Sequence, residues 1–191
     1  RVVQINLPGN NLTGTIPATV NKIAQLNSIN VSRNRLEGLP LFQGLTQLNN
    51  LQVASNRLTF GDIIPAINSL VVPQANVTYG NQATVDAGRV IPAYRGDTIT
   101  LNATLDRDPN LGAEYRWFKG VNTQVFFGAN PALRIPVDND SVQGDYFYTI
   151  TNNDYPQLTL TSRVQRVNYY AGPNPFPDGR LSFVLSFSED D

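Results

Sequence analysis

Apolar positions in the first third of the chain recur with a common spacing. Val2, Ile5, Leu7 and Leu12 form one set, Leu26, Ile29, Val31 and Leu36 a second, and Leu48, Leu51, Val53 and Leu58 a third. Each set contains a short stretch of alternation, so Ile5/Leu7, Ile29/Val31 and Leu51/Val53 are expected to point into a core from β-strands. An asparagine stands at the same place in each set, at Asn10, Asn34 and Asn56, with separations of 24 and 22 residues. Each falls where the chain leaves its strand. A side-chain amide both donates and accepts, so it can satisfy the backbone of neighbouring turns. The three asparagines are therefore expected to stack as structural rungs.

The shared pattern, L-x-x-L-x-L-x-x-N-x-L at a period of about 20–29 residues, is that of leucine-rich repeats. The first repeat continues Leu12-x-Gly14-x-Ile16-Pro17, which resembles the plant-type form. The second departs from it with Leu36-Glu37-Gly38-Leu39-Pro40, and the third ends at Leu58–Pro65, where the pattern stops. Repeats of a solenoid bury their faces only against neighbours. Further repeats or a cap are thus expected before Arg1, and the next domain is expected to cover the other end. The register predicts three exposed columns on the strand face: Gln4, Ser28, Asn50; Asn6, Asn30, Gln52; and Pro8, Ser32, Ala54. Rows of amides suit sugar hydroxyls or an extended peptide backbone. The columns hold no aromatic platform for stacking on sugars.

From about Val72 the period changes to strand alternation. Asp97–Leu105, Tyr115–Lys119, Leu133–Val137, Gly144–Thr151 and Leu158–Val164 read as short strands between turn signals, which suggests an antiparallel sandwich. The order G-D-T-I-T-L-x-A, Y-x-W-F-K-G, G-D-Y-x-Y resembles strands B, C and F of an immunoglobulin-like domain. That resemblance makes Trp117 the core tryptophan and Tyr146 the tyrosine corner. The two cysteine positions fall at Ala103 and Tyr148, a small residue and a large one that can together fill the disulfide's volume.

The arrangement over residues 1–170 resembles exported leucine-rich-repeat proteins of Bacteroidetes-like bacteria that carry a C-terminal immunoglobulin-like domain. The segment Asn56–Pro65, N-x-L-T-F-x-D-I-x-P, and the W-F-K motif carry that likeness. The expected fold is mainly β and two-domain: a short solenoid over 1–71, a cysteine-free β-sandwich over 72–170, and a Pro/Gly-rich linker with a terminal strand over 171–191. Leu181, Phe183, Leu185 and Phe187 alternate within that strand.

Composition narrows the function. Cys, His and Met are absent, charged residues make up only 15%, and the net charge is −1. Disulfides, thiolate metal sites and histidine-based triads are excluded. Nothing draws the chain to nucleic acid, and no apolar run is long enough to span a membrane. Asp62, Asp86, Asp97, Glu114 and Asp145 are scattered carboxylates that form no evident glycosidase pair. Asp106/Asp108 and Asp138/Asp140 could offer oxygen ligands to calcium, but read more simply as turn formers. No metal or cofactor is expected. The function expected is non-enzymatic binding of a protein or polysaccharide, in a secreted or cell-surface setting. Gln4, Asn6, Ser28, Asn30, Asn50 and Gln52 are the candidate contact residues. The alternative is a spacer that presents another module.

Overall fold

A computed structural model describes residues 1–71, 76–103 and 112–175. Along the chain run β1 (Gln4–Asn6), β2 (Thr13–Thr15), β3 (Ser28–Asn30), β4 (Arg35–Gly38), β5 (Asn50–Gln52), α1 (Phe60–Asn68) and β6 (Val77–Thr78). There follow β7 (Arg89–Tyr94), β8 (Thr98–Asn102), β9 (Glu114–Lys119), β10 (Thr123–Gly128), β11 (Ala132–Pro136), β12 (Gly144–Thr151), β13 (Thr159–Thr161) and β14 (Gln165–Tyr170). The protein is mainly β and is built from several sheets, none closed into a barrel.

One sheet is parallel, in the order β1-β3-β5-β6. Its strands advance by a repeated set of bonds: Leu7 N donates to Asn30 O at 2.8 Å, Val31 N to Gln52 O at 2.9 Å, and Val53 N to Thr78 O at 2.8 Å. The turn that leaves each strand also repeats. Gly9, Arg33, Ser55 and Asn81 all take left-handed backbone, with φ of 68°, 57°, 59° and 56°. Each immediately precedes an amide side chain, at Asn10, Asn34, Asn56 and Gln82.

Those amides tie successive turns together. Asn34 Oδ1 accepts from Asn10 N and Leu12 N at 2.8 and 3.0 Å, while its Nδ2 donates to Leu7 O and Val31 O. Asn56 Oδ1 accepts from Leu36 N at 3.0 Å, and its Nδ2 donates to Val31 O and Val53 O. Gln82 repeats the arrangement, accepting from Asn56 N and Leu58 N and donating to Val53 O and Tyr79 O. Buried backbone groups left without partners are costly, and each amide removes several at once.

Two sequence expectations need correction here. Asn10 is exposed, and its side chain bonds only Pro8 O at 2.9 Å. It enters the ladder through its backbone N–H, which donates to Asn34 Oδ1. Val2 and Leu7 are exposed and Ile5 is only half-buried, whereas Ile29, Val31, Leu51 and Val53 lie in the core. The repeat also does not stop at Pro65. After α1, β6 adds a further parallel strand with Gln82 as its rung.

Helix α1 begins with a capping contact: Thr59 N and Thr59 Oγ1 both donate to Asp62 Oδ2, at 2.8 and 2.9 Å. Its Phe60, Ile63, Ile64, Ala66 and Ile67 are buried and belong to the apolar core. Pro65 lies inside the helix, where its ring removes one backbone donor.

The rest of the chain is largely antiparallel. A larger sheet runs β10-β9-β12-β14-β7, with β13 also paired to β12, and β8 pairs with β11 in a small separate sheet. β7 joins β14 in parallel. Alternation along β9 and β12 sends Tyr115, Trp117, Tyr146, Tyr148 and Ile150 inward. Trp117 and Tyr148 are paired in register with ring centroids 4.9 Å apart. Ala103 is buried as well. The Tyr146 hydroxyl donates to Val142 O, four residues upstream, at 2.8 Å.

The turn 152–158 closes the free edge of β6. Gln157 Oε1 accepts from Tyr79 N at 3.3 Å, and its Nε2 donates to Val77 O at 3.1 Å. One side-chain amide thus occupies the donor and acceptor sites that another strand would take. Gly80 permits the approach, since a Cβ there would lie 2.7 Å from Gln157 O. Tyr79 and Tyr155 meet edge to face at 6.4 Å, and the Tyr155 hydroxyl donates to Asn68 Oδ1 at 2.8 Å. Buried apolar residues from Val20 to Val167 form one continuous cluster.

Candidate functional site

The strand face of the parallel sheet carries the candidate residues in register. Gln4 pairs with Ser28, which pairs with Asn50, while Asn6, Asn30, Gln52 and Thr78 form the adjacent row. Alternation sets these side chains opposite Ile29 and Leu51, so a polar face stands directly over the apolar core. The six predicted residues differ in exposure. Gln4 and Asn6 are exposed, whereas Ser28, Asn30, Asn50 and Gln52 are half-buried by the strands on both sides.

Part of the hydrogen-bonding capacity of this face is used locally. Asn30 Oδ1 accepts from Ser32 N and Ser32 Oγ, at 3.1 and 2.8 Å. Gln52 Nε2 reaches Asn50 Oδ1 at 3.4 Å. These bonds fix amide orientation: Asn30 turns its oxygen to Ser32 and leaves its Nδ2 donors outward. Thr78 was not apparent as part of the row, because the segment before it lacks the leucine spacing. The signal that could have found it is V-T-Y-G-N-Q at 77–82, which matches L-Q-V-A-S-N at 51–56 position for position.

The five carboxylates considered for acid–base chemistry each have a separate local role. Asp62 caps α1. Asp86 pairs with Arg89 at 3.1 Å and accepts from the Tyr148 hydroxyl at 3.3 Å. Asp97 accepts from Asn174 Nδ2, and Glu114 lies 3.9 Å from Arg116. Asp145 takes two bonds from Arg166, at 2.7 and 2.9 Å, which hold its carboxyl below the ordinary aspartate range. Burial pushes the Tyr146 and Tyr79 hydroxyls above the usual tyrosine range.

Asp138 and Asp140 are exposed on a turn where Asn139 Oδ1 accepts from Ser141 N at 2.9 Å. No group of three metal-ligating side chains occurs among the described residues. Asp106, Asp108 and the alternating stretch 181–187 lie outside the described residues. Trp117 is fully buried, and Phe126 is half-buried beside it in register while Phe127 is exposed under Arg116, 5.0 Å from guanidinium to ring centre. Among the described residues no helix is long and apolar enough to cross a membrane. No protein-family model matches the chain, and no curated protein matches it significantly.

Proposed function

We propose that the chain is a leucine-rich-repeat solenoid joined to a cysteine-free immunoglobulin-like sandwich. In this reading it is a non-enzymatic binding module of an exported or cell-surface protein of the Bacteroidetes-like type. Its parallel-strand face takes up a protein or polysaccharide. The observation that carries the reading is the in-register row Asn6, Asn30, Gln52 and Thr78 beside Gln4, Ser28 and Asn50. Successive rungs stand about 4.8 Å apart, so the face repeats donors and acceptors along one line, as an extended ligand does. The amide ladder beneath it supports the same reading, because it holds the strands in place without using the outward side chains.

The test is a glycan and surface-protein binding screen with the wild-type chain and with Asn30→Lys/Gln52→Lys. The reading expects at least one ligand whose binding the double variant abolishes while its far-ultraviolet circular dichroism matches wild type. A ligand bound equally by both forms would refute the strand face.

A second reading, a spacer that presents another module, draws on the closed junction at Gln157 and Gly80. A firmly capped stack suits a rod of fixed geometry. It expects no ligand in the screen and no effect of the double variant on any property.

A further inference from the structure

A cleft of about 400 Å³ lies where the end of the repeat stack meets the β13–β14 connection, lined by Glu37, Arg57, Thr59, Thr84, Val85 and Arg163. Its size falls within the range of small-ligand sites, roughly 300–1,000 Å³. Residues far apart in sequence are drawn together here by backbone pairing: Val85 N donates to Thr161 O at 2.9 Å, and Arg163 N to Val85 O at 3.0 Å. That pairing brings Arg163 into the lining of the same cleft as Arg57.

The charges of the cleft are unbalanced. Arg57 Nη1 donates to Glu37 Oε1 at 2.9 Å, a pair about half exposed on both sides. Arginine carries five N–H donors, so Arg57 keeps others for a second acceptor. Arg163 is exposed and makes no ion pair among the described residues. Arg35 holds the position equivalent to Arg57 on the preceding rung: Arg35 N donates to Leu12 O and Arg57 N to Leu36 O. Two guanidiniums, Arg57 and Arg163, and one carboxylate, Glu37, line the cleft itself, with Arg35 one rung away; the nearby Asp62 and Asp86 carboxylates are already engaged, by Thr59 and Arg89.

We propose that this cleft is a carboxylate-binding subsite for an acidic polysaccharide. A uronate carboxylate sits between Arg57 and Arg163, and the next acidic residue along the polymer reaches Arg35. Planar guanidiniums match carboxylates in geometry and keep their charge at every physiological pH. A peptide ligand fits less well, because peptide anchors bury large apolar or aromatic side chains, and Val85 is the largest apolar group lining the cleft. The subsite uses none of the strand-face residues, so it stands or falls separately from the reading above.

The test is titration of the full chain with a short oligogalacturonate at low ionic strength, followed by amide chemical shifts. A neutral oligosaccharide of the same length and an oligoglutamate serve as comparison probes. The expected result is saturable binding of the oligogalacturonate, with shifts at Thr84, Val85 and Arg163, weakened by added salt. Arg163→Gln, an exposed change, is expected to weaken it about tenfold, and Asn30→Ala/Gln52→Ala, which adds no charge, to leave it unchanged. The proposal is overturned if the oligogalacturonate does not bind, if Arg163→Gln binds it as well as wild type, or if oligoglutamate binds equally or better.

Discussion

Replacing Asn56 with alanine tests the ladder that holds the parallel stack together. Asn56 is 2% exposed, and its side chain serves Leu36 N, Val31 O, Val53 O and, more weakly, Ala54 O at 3.0–3.3 Å. Alanine removes all four bonds at once, at a site flanked by the buried Val31 and Val53. An unsatisfied buried donor or acceptor costs about 1–3 kcal/mol. Carbonyls tolerate the loss better than N–H groups, so the expected destabilisation is about 3–4 kcal/mol. Asn10→Ala is the internal control. That side chain is exposed and has one bond, to Pro8 O, so its loss should stay below about 1 kcal/mol. Urea unfolding followed by far-ultraviolet circular dichroism gives both values, and the Asn56→Ala melting point should fall by about 10 °C. Equal losses at the two positions, within about 0.5 kcal/mol, would refute the claim that the amides act by satisfying buried backbone. Asn56→Asp provides a pH check. Its carboxylate would face Val31 O and Val53 O, so its folded-state pKa is raised above the unfolded value near about 3.9. The variant should therefore come closest to wild-type stability below about pH 4 and lose ground as the pH rises.

Other expectations follow from single contacts. Gly80→Ala brings a Cβ to 2.7 Å from Gln157 O and should open the junction, costing about 2 kcal/mol and exposing the Tyr79 amide to hydrogen exchange. Gln157→Ala leaves Tyr79 N and Val77 O without the capping amide, and should give faster exchange at Tyr79 with a smaller loss of stability. Tyr146→Phe removes one buried hydroxyl bond to Val142 O and should lower stability by about 1 kcal/mol in urea titrations. Arg166→Gln should raise the Asp145 carboxyl back toward its ordinary value, read by carbon-detected titration. Because that pKa is depressed in the folded protein, any stability from the pair is present above about pH 4 and is lost as the pH falls through the depressed value.

Much of this protein can be read from spacing alone. Period-two alternation around Ile29, Val31, Leu51 and Val53 sets which side chains are buried, and a fixed interval to Asn34 and Asn56 places an amide wherever a turn leaves backbone unsatisfied. The columns Gln4/Ser28/Asn50 and Asn6/Asn30/Gln52 follow from the same register. Local chemistry of this kind is written in consecutive residues, so it survives without coordinates. What needed the tertiary structure involves partners distant in sequence. Gln82 acts as a rung although it is a glutamine, follows a helix, and lies 26 residues after Asn56. Gln157 reaches the edge of β6 across some 80 residues. Hydrophobic periodicity reports how each segment turns its faces, but the placing of Arg57 and Arg163 on one cleft, or the meeting of Gly80 with Gln157, is decided only when separate segments pack against one another.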